Sequence, residues 1–238
     1  MRSLLQAYFD RVYNPVYDYT TATLTRYRRL QDRCLELLDL PRGQRLLCIG
    51  LGTGNEAAFA LRIAPRISIT GVDTSRFALA AARRKVSAAG RDAELLVMDA
   101  SKLSFADGAF DRVLCMHVLD FVQDVERTVR EAVRVLGPGG RLVLTLPSRA
   151  EGPSMGAALV GDQVHASLRN GRNPLAVAAD IILKMPLGLI YLPLFLRPAR
   201  RSFSRTQVEA LFRGCGIPAL RIEEEPAYQD YIVTAVRS

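Results

Sequence analysis

Residues 46–56 read LLCIGLGTGNE, a short apolar run that breaks into glycine at every second position. The glycines are Gly50, Gly52 and Gly54, and a helical pattern begins directly after them. A glycine at the end of a strand permits a tight turn, and a second glycine lets a ligand approach the backbone of the following helix N-terminus. The stretch therefore predicts a strand, a ligand-binding turn and a helix. Such turns also use glycine for steric reasons alone, so the motif depends on its context.

An alternation of short apolar runs and helical stretches extends from residue 45 to residue 147. The strand candidates cover residues 45–50, 67–73, 93–99, 110–116 and 140–147. Helices are predicted between them near residues 55–64, 75–89 and 124–136. This alternation is typical of a parallel sheet with helices on both faces, joined by right-handed crossovers.

Residues with capping chemistry mark the ends of these helices. Thr74 and Ser75 form an N-cap pair before the second helix, and Gly90 is predicted to end it. Asp124 is predicted to cap the third helix. The sequence LGPGG at 136–140 is predicted to stop that helix and to turn the chain into the fifth strand.

Two acidic residues follow predicted strands on the same edge of this sheet. Asp73 ends the second strand, 23 residues after Gly50, where a carboxylate can accept both hydroxyl hydrogens of a ribose. Asp99 closes the third strand, where a carboxylate can accept the exocyclic amine of adenine. Because the glycines lack the GxGxxG spacing of dinucleotide sites, the pattern favours a nucleoside ligand without a pyrophosphate.

The segment from Leu46 to Ser148 resembles the class I S-adenosylmethionine-dependent methyltransferases. LLCIGLGTG is similar to their glycine-rich first motif, and GVDTS to their acidic ribose-binding motif. VMDASKLSFADGAFDRVLCMHVLDFVQD resembles their adenine-contact motif, fourth strand and the segment after it, and EAVRVLGPGGRLVLTLPS resembles the helix, Gly-Gly turn and fifth strand. The resemblance extends to the ubiquinone and menaquinone C-methyltransferases.

The resemblance implies an α/β fold with a Rossmann-like, seven-stranded mixed sheet in the order 3-2-1-4-5-7-6 and helices on both faces. It implies S-adenosyl-L-methionine as cofactor and S-adenosyl-L-homocysteine as product. The residues implied to bind the methionine end are Gly50, Gly52 and Gly54, the one implied for the ribose is Asp73, and those for the adenine are Asp99, Ala100 and Met116. Thr53, Asn55 and Thr74 are implied as further cofactor contacts.

The rest of the chain is expected to surround this core. Residues 1–40, with a helix at 25–38, are predicted to form an N-terminal cap over the cofactor, and residues 41–148 form the core itself. Residues 149–203 are predicted to form a lid for the methyl acceptor. Residues 204–238 are predicted to complete the core with a capped helix at 204–217 and antiparallel strands at 219–225 and 231–236.

Cys48 stands where members of the family usually carry Asp or Glu. That carboxylate helps to fix the glycine loop and the amino group of the methionine portion. A thiol cannot do so at neutral pH unless its pKa is strongly depressed. Two interpretations are open, a small core residue or a residue with a chemical role, and the first is favoured.

Candidates for the chemistry lie after the fourth strand and in the N-terminal segment. His117 follows the fourth strand, where the family places residues that face the methyl group; it is either a base or ligand for the acceptor, or a wall residue near the cofactor. Tyr17 precedes Asp18 in a YD pair that resembles the N-terminal element of the quinone methyltransferases, so it either caps the site or packs a helix onto the sheet. His165 is expected to be exposed to solvent.

The segment between the fifth strand and the last helix carries the signal for the acceptor. Residues 181–196 read IILKMPLGLIYLPLFL and are followed by RPARR, a stretch too short and too interrupted to span a bilayer of about 30 Å. An apolar lid with flanking arginines fits either a hydrophobic pocket or an anionic membrane surface. The alternative is an ordinary buried helix with a basic tail. The polar residues 161–174 are predicted to form a closing loop.

Composition excludes several classes of protein. The four cysteines of the 238-residue chain show no CxxC spacing, and with only two histidines no zinc site of ordinary spacing can be assembled. The net charge of +8 is spread along the chain, so specific nucleic-acid binding is not expected. The N-terminus lacks the clean apolar core of a signal peptide, which predicts a cytoplasmic protein, with peripheral membrane contact through the lid left open.

The combined prediction is methyl transfer from S-adenosylmethionine to a lipophilic small molecule such as a quinone, a phenol or a lipid head group. The alternative from another class is a non-catalytic protein that keeps the fold to bind a ligand or partner, and Cys48 is its main support. An RNA methyltransferase is a third alternative, suggested by the positive charge. CMHVLD stands where a base-methylating enzyme would carry an N/D-P-P-[YF] motif, which counts against it.

Overall fold

The computed structural model describes residues 25–148, 167–183, 202–217, 219–225 and 230–238, and the single residues 8, 10, 12, 14, 18, 161, 164 and 165. Its helices are α1 (Thr25–Leu38), α2 (Asn55–Ile63), α3 (Arg76–Ala88), α4 (Val125–Arg134) and α5 (Arg205–Phe212). Its strands are β1 (Arg45–Ile49), β2 (Ser68–Asp73), β3 (Glu94–Val97), β4 (Phe110–Cys115), β5 (Leu136–Pro147), β6 (Ala219–Glu225) and β7 (Asp230–Val236).

The strands form one seven-stranded sheet in the order β3-β2-β1-β4-β5-β7-β6. The first five strands are parallel, and β7 runs antiparallel to both β5 and β6. The predicted order and the final hairpin are confirmed. The carboxyl ends of β1, β2 and β4 therefore meet at one edge, with the topological switch between β1 and β4, where this kind of sheet binds ligands.

Side-chain caps fix where the helices begin. The Ser75 hydroxyl accepts the Ala78 N–H (3.1 Å) at the start of α3, and the Asp124 carboxylate accepts the Arg127 N–H (2.9 Å) at the start of α4. Ser204 and Gln207 form a reciprocal capping box at the start of α5. The predicted caps at Ser75 and Asp124 are confirmed.

Alternate residues of the strands enter two cores on opposite faces of the sheet. Leu46, Cys48 and Leu114 pack beneath α1, α2 and α3, whereas Leu47 and Ile49 pack beneath α4 and α5. Because both faces are covered, the buried parts of the central strands β1 and β4 are continuous apolar runs, residues 46–49 and 113–115, as expected for parallel strands. The three cysteines at 34, 48 and 115 are buried in these cores.

Three predictions about the boundaries of elements are wrong. The LGPGG sequence is not a turn before β5; it lies within β5 as an irregularity, with Leu136 paired to Phe110 and a register shift before Arg112 pairs with Arg141. Helix α5 ends at Phe212 and not at 217, because Gly214 and Gly216 adopt φ of +77° and +69°. The polar segment 161–174 is not a loop throughout, since its described residues 164, 165 and 167–169 are helical.

Helix α1 is fixed to the sheet at its carboxyl end. Nε of Arg112 on β4 donates to the carbonyls of Leu38 (2.7 Å) and Asp39 (2.8 Å), and Nη1 of Arg141 on β5 donates to Leu37 O (2.9 Å). The last carbonyls of a helix carry the negative end of its dipole, so guanidinium groups are favourable there. The two strands thereby set the position of α1 over the sheet.

Part of the predicted lid falls outside the described residues, including most of the apolar stretch 181–196. Of that stretch, residues 181–183 are described: Ile181 is partly buried, and Ile182 and Leu183 are 68% and 78% exposed. Among the described residues, no helix has both the length and the apolar character needed to cross a bilayer. His165 is exposed, as predicted.

Candidate functional site

The three glycines of the loop after β1 differ in what surrounds them. All have positive φ, at +65°, +56° and +82° for Gly50, Gly52 and Gly54. A Cβ on Gly50 would lie 2.1 Å from Cγ2 of Val118, and one on Gly54 would lie 2.7 Å from Cβ of Ala82 in α3. A Cβ on Gly52 would meet only the Gly50 carbonyl oxygen at 4.0 Å. Two glycines therefore pack against the protein, and the middle one faces open space.

Asp73 joins this loop to the end of β2. Its Oδ2 accepts the Gly52 N–H (2.8 Å), and its Oδ1 accepts the Ser75 N–H (2.8 Å). Burial raises the pKa of Asp73 above its ordinary value, while the backbone donors partly oppose the shift. Each carboxylate oxygen can accept a further hydrogen bond, which leaves capacity for the hydroxyl groups of a ribose.

A polar network ties the loop to α3 and to the N-terminal segment. Oδ1 of Asp18 accepts the Thr53 hydroxyl (2.6 Å) and the Asn55 amide (3.1 Å), and it lies 2.6 Å from Nζ of Lys85. The same Lys85 ammonium donates to Oδ1 of Asn55 (2.6 Å). Thr53 and Asn55, both predicted to contact the cofactor, are thus held by the charged groups of Asp18 and Lys85.

Further contacts bring the N-terminal segment to the end of β2. The Ser75 hydroxyl donates to Oδ1 of Asp10 in a short contact, and the Asn14 amide donates to the Ser75 hydroxyl (3.5 Å). With Asp18, these residues lie against the loops that follow β1 and β2, where the cap was predicted. Tyr17 itself lies outside the described residues.

The residues predicted for the adenine occupy different surroundings. Asp99 is exposed, and its Oδ1 accepts both the N–H and the hydroxyl of Ser101 (2.8 Å each). Ala100 is buried in the core on the α4 side of the sheet, whereas Met116 is buried in the core on the α1 side. Thr74, exposed beside Asp73, contributes its backbone N–H to that carboxylate.

Cys48 is buried in β1, and its thiol cannot act as a charged group. Burial raises the pKa of the Cys48 thiol far above its ordinary value, and the nearby Glu56 carboxylate raises it further. Glu56 lies in the first turn of α2, where its Oε1 accepts the Tyr27 hydroxyl (2.7 Å) and the Gln31 amide (2.7 Å) from α1. A carboxylate is therefore present near the position that the family's acid occupies, on a different element.

His117 is held by contacts from three elements. It is a non-glycine residue with φ +52°, and its backbone N–H donates to the Thr145 hydroxyl (3.0 Å) on β5. Nδ1 of His117 lies 3.5 Å from Oδ2 of the buried Asp230 at the start of β7. The ring of Tyr27 stacks on the imidazole, with centroids 5.7 Å apart. Strain of this kind is often retained at functional sites.

Five residues of this region were missed by the sequence analysis, and all act through contacts between distant parts of the chain. Tyr27 and Glu56 meet between α1 and α2, and Lys85 reaches from α3. A YD pair marks Asp18, although the prediction singled out the tyrosine. Asp230 was predicted as the last residue of the turn between the two final strands, and nothing in its local sequence distinguishes it. The residues concerned are Asp18, Tyr27, Glu56, Lys85 and Asp230.

The arrangement fits an adenosine-containing cofactor in two respects. The middle glycine of the loop leaves a cradle that any side chain would fill, and Asp73 stands beside it with acceptor oxygens at the end of the neighbouring strand. Gly54, as the N-cap of α2, provides no side chain to occupy the N–H groups of the first turn. Residues of the loop and Asp73 could therefore hold such a cofactor.

Comparisons with known proteins agree with this geometry. Residues 47–144 match the family described as "Methyltransferase domain". The chain is 37% identical to the demethylmenaquinone methyltransferase of Thermus thermophilus over 135 residues, which cover 55% of this chain and 60% of the relative. It is 40% identical to the phosphatidylethanolamine N-methyltransferase of Cereibacter sphaeroides over 105 residues, which cover 43% of this chain and 50% of the relative.

The chain thus spans 50% to 60% of the length of these two relatives. Among solved structures, the magnesium protoporphyrin IX methyltransferase of Synechocystis PCC 6803, with bound S-adenosylhomocysteine, has the same fold. The TM-score is 0.66 at 15% identity, and the match covers 99% of each chain. The sheet order and the matched segment agree: residues 47–144 match a methyltransferase domain, and the whole described sheet has the fold of the solved methyltransferase.

Proposed function

We propose that this protein transfers the methyl group of S-adenosylmethionine to a lipophilic small molecule, such as a quinone ring, a phenol or a lipid head group. Two relatives more than a third identical over the core are named for demethylmenaquinone and for phosphatidylethanolamine. Both acceptors are lipophilic. The predicted apolar lid, which falls mostly outside the described residues, would supply the matching surface.

The observation that carries the proposal is the pairing of the glycine loop with Asp73. The Gly52 N–H is bound by Asp73, yet the space beside Gly52 is open. A structural turn needs no such cradle, because it could be filled by side chains from the neighbouring helices. The arrangement supports a bound nucleoside, with Asp73 and Thr74 at its ribose and Asp99 at its adenine.

When bound, the cofactor supplies an activated methyl group on a sulfonium, which an in-line displacement transfers. The chain's task is to align the acceptor and to exclude water. Where the acceptor must lose a proton, His117 is the proposed base, with Nε2 accepting the proton as the new bond to the methyl group forms. Asp230 near Nδ1 and Tyr27 against the ring would hold the imidazole in place.

The second candidate is a non-catalytic protein with a methyltransferase fold. The observation in its favour is Cys48, a buried thiol in place of the usual acid. Retention of the glycine loop and of Asp73 with its backbone contacts counts against it, since a binding module for other ligands needs neither. One fold can also serve unrelated functions, so binding and transfer must be measured separately.

Calorimetric titration with S-adenosylmethionine and S-adenosylhomocysteine tests the cofactor. Micromolar binding is expected, and the absence of binding at millimolar ligand would overturn the proposal. Transfer of a labelled methyl group is then measured to a demethylated quinone, to a phenol and to phosphatidylethanolamine in vesicles with and without anionic lipid. Binding without transfer to any of them would favour the non-catalytic candidate.

His117→Gln separates the chemistry from the binding in this assay. For an acceptor that must lose a proton, the rate is expected to fall by about 10²–10⁴-fold. Affinity for S-adenosylhomocysteine should stay unchanged, because the residue faces the acceptor in the proposed arrangement. His165→Gln, at an exposed position of the insert, is the matched control.

A further inference from the structure

The amino group of a bound methionine portion needs an anionic partner that Cys48 does not provide. An ammonium moved from water into a partly buried site is costly unless a charged or strongly polar group accepts its hydrogen bonds. Burial keeps the Cys48 thiol protonated by raising its pKa. If the chain binds this cofactor, another carboxylate near the carboxyl end of β1 must take that role, or the amino group goes without one.

Several carboxylates of this region already have partners of other kinds. Asp73 accepts the backbone N–H groups of Gly52 and Ser75. Asp18 forms an ion pair with Lys85, and Asp230 lies beside His117. Each of these three acids thus has a local structural partner, and two of them face a side chain that carries or can carry a positive charge.

Glu56 is placed differently. It is half-buried on the first turn of α2, two residues after Gly54, and both of its side-chain hydrogen bonds come from uncharged donors on α1. Tyr27 and Gln31 both donate to Oε1, and none of the described residues donates to Oε2. No lysine or arginine in the described part of the chain forms an ion pair with it. Among the described residues, the Glu56 carboxylate is therefore oriented by uncharged donors and has no cationic partner.

The position of Glu56 also fits a contact with the amino group of the methionine portion. Its charge acts on the Cys48 thiol, so the two side chains are within electrostatic reach of each other. Tyr27, which holds Oε1, also stacks on His117, where the methyl group is proposed to be transferred. Glu56 therefore lies between the glycine loop and the proposed reaction centre, where the methionine portion would be.

We infer that Glu56 accepts the hydrogen bonds of the amino group of the methionine portion. It takes the role of the Asp or Glu that relatives carry on β1 at the position of Cys48. This inference rests on the proposed function, because it assigns a partner to one group of the proposed cofactor. Tyr27 and Gln31 act as positioning residues that hold one oxygen and leave the other directed to the ligand. The negative charge opposite the amino group thus comes from a residue of α2 and not from a residue of β1.

The test compares S-adenosylhomocysteine with its desamino analogue, which keeps the carboxylate and lacks only the amino group. A charge-assisted hydrogen bond predicts that wild-type protein binds S-adenosylhomocysteine about 10-fold to 100-fold more tightly than the analogue. In Glu56→Gln the preference should disappear, through loss of affinity for S-adenosylhomocysteine alone. Gln has the same shape and can still accept from Tyr27 and Gln31, so the fold should be retained.

Glu126→Gln is the matched control, because Glu126 is likewise the second residue of a helix, α4, and within the described part of the chain its ion-pair partner is the exposed Arg130. It should keep the full preference. Equal loss of affinity for both ligands in Glu56→Gln, or no loss for either, would overturn the inference, as would wild-type protein that does not distinguish the ligands. If wild-type protein binds neither ligand, the proposed function fails, and the two failures are thus distinguishable.

Discussion

At the residue scale, substitutions at Gly52 and Gly54 distinguish an effect on ligand binding from an effect on folding. Gly52→Ala places a methyl group in open space at a positive φ, which costs about 1–2 kcal/mol of stability. The protein should therefore fold, but S-adenosylhomocysteine should lose most of its affinity because the methyl group fills the cradle. Calorimetric titration combined with urea unfolding measures both effects.

Gly54→Ala is the natural comparison, since its new Cβ would lie 2.7 Å from Cβ and 2.9 Å from Cα of Ala82. The α2–α3 contact would have to open, so the loss of stability should exceed that of Gly52→Ala by about 1–3 kcal/mol. If Gly52→Ala proved the less stable of the two and still bound ligand normally, the open space would have no role in binding.

Asp73 should make cofactor binding depend on pH in a window above that of an ordinary carboxylate. Ribose hydroxyls donate to the ionised form, and burial raises the pKa of Asp73 in the folded protein. Affinity should then be full above the raised pKa and should be lost as pH falls through it, with a midpoint above the ordinary value of about 3.9. Titrations of S-adenosylhomocysteine from neutral to acidic pH measure the midpoint.

Asp73→Asn supplies the reference for this experiment, because titration of the ligand itself is common to both proteins. It should bind more weakly at pH 7 and should lack the midpoint. Asp92→Asn, at an exposed position before β3, should behave as wild type. A midpoint at or below the ordinary value would show that Asp73 does not contact the cofactor in its charged form.

Residues of the site whose partners lie nearby in the sequence could be predicted, and residues whose partners are distant in the sequence could not. Asp73 and the glycines could be predicted because strand, turn and acid lie in one short segment with fixed spacing. Glu56 and Asp230 could not, because their partners are supplied by α1 and by the segment after β4, which meet them only in the folded chain. For Cys48 the favoured interpretation, a buried core residue, agrees with its burial.

At the scale of elements, α4 holds the connection between β3 and β4 by one arginine. Arg134 donates to the carbonyls of Leu103 (2.9 Å) and Phe105 (2.8 Å), and it forms ion pairs with Asp107 (2.7 Å) and Glu131 (2.7 Å). Glu131 in turn accepts the Leu103 N–H (2.8 Å). Asp99 and Ala100 lie at the start of this connection. Helix α4 therefore supports the segment that carries the predicted adenine end of the site.

Arg134→Met should lower the free energy of unfolding by about 1–3 kcal/mol, because two backbone carbonyls lose their donor. The Arg134 guanidinium also holds the pKa of Glu131 below its ordinary value. A depressed folded pKa contributes stability that is present above the unfolded pKa and is lost as pH falls through the folded one. Wild type should thus lose more stability than Arg134→Met between pH 7 and pH 3, as measured by urea unfolding.

The control for this pair is Arg130→Met, which removes an exposed ion pair with Glu126 on the same helix. It should change stability by less than about 0.5 kcal/mol and should leave the pH dependence unchanged. Equal pH dependence in wild type and Arg134→Met would show that the Arg134–Glu131 pair is not coupled to folding.

The ends of helices and strands show which boundaries the local sequence can predict and which it cannot. Caps at Ser75, Asp124 and Ser204 were predictable because each depends on one or two side chains within four residues of the chain. The start of β5 was not, because the LGPGG sequence has the composition of a turn, and it enters the strand only through pairing of Leu136 with Phe110 on β4. That pairing forms between two strands that are distant in the sequence, so the local sequence does not predict it.

At the scale of the whole molecule, α1 links the site to the sheet and to the last strands. Its first half carries Tyr27 and Gln31 to Glu56, and its middle forms a two-pronged contact between Arg33 and Glu223 on β6. Its carboxyl end is held by Arg112 on β4. Since α1 precedes the matched domain and β6 follows it, parts outside the recognisable motifs complete the surroundings of the proposed reaction centre.

Arg112 is the strongest of these anchors, because it is only 8% exposed and donates to two carbonyls where α1 ends. Burial lowers the pKa of Arg112, and the neighbouring Arg141 lowers it further, so the charge of Arg112 is held at a cost. Arg112→Met should reduce the free energy of unfolding by about 2–4 kcal/mol. It should also weaken binding of S-adenosylhomocysteine, because α1 holds Glu56 and packs against His117.

Urea unfolding and calorimetric titration on the same preparations test this coupling between anchor and site. Arg205→Met, which removes an exposed ion pair with Glu209 within α5, should leave both measurements unchanged. If Arg112→Met lowered stability and left ligand affinity intact, α1 would stabilise the fold without positioning the site. Loss of both is expected, because the guanidinium on the central strand β4 sets the position of the helix that bears Tyr27.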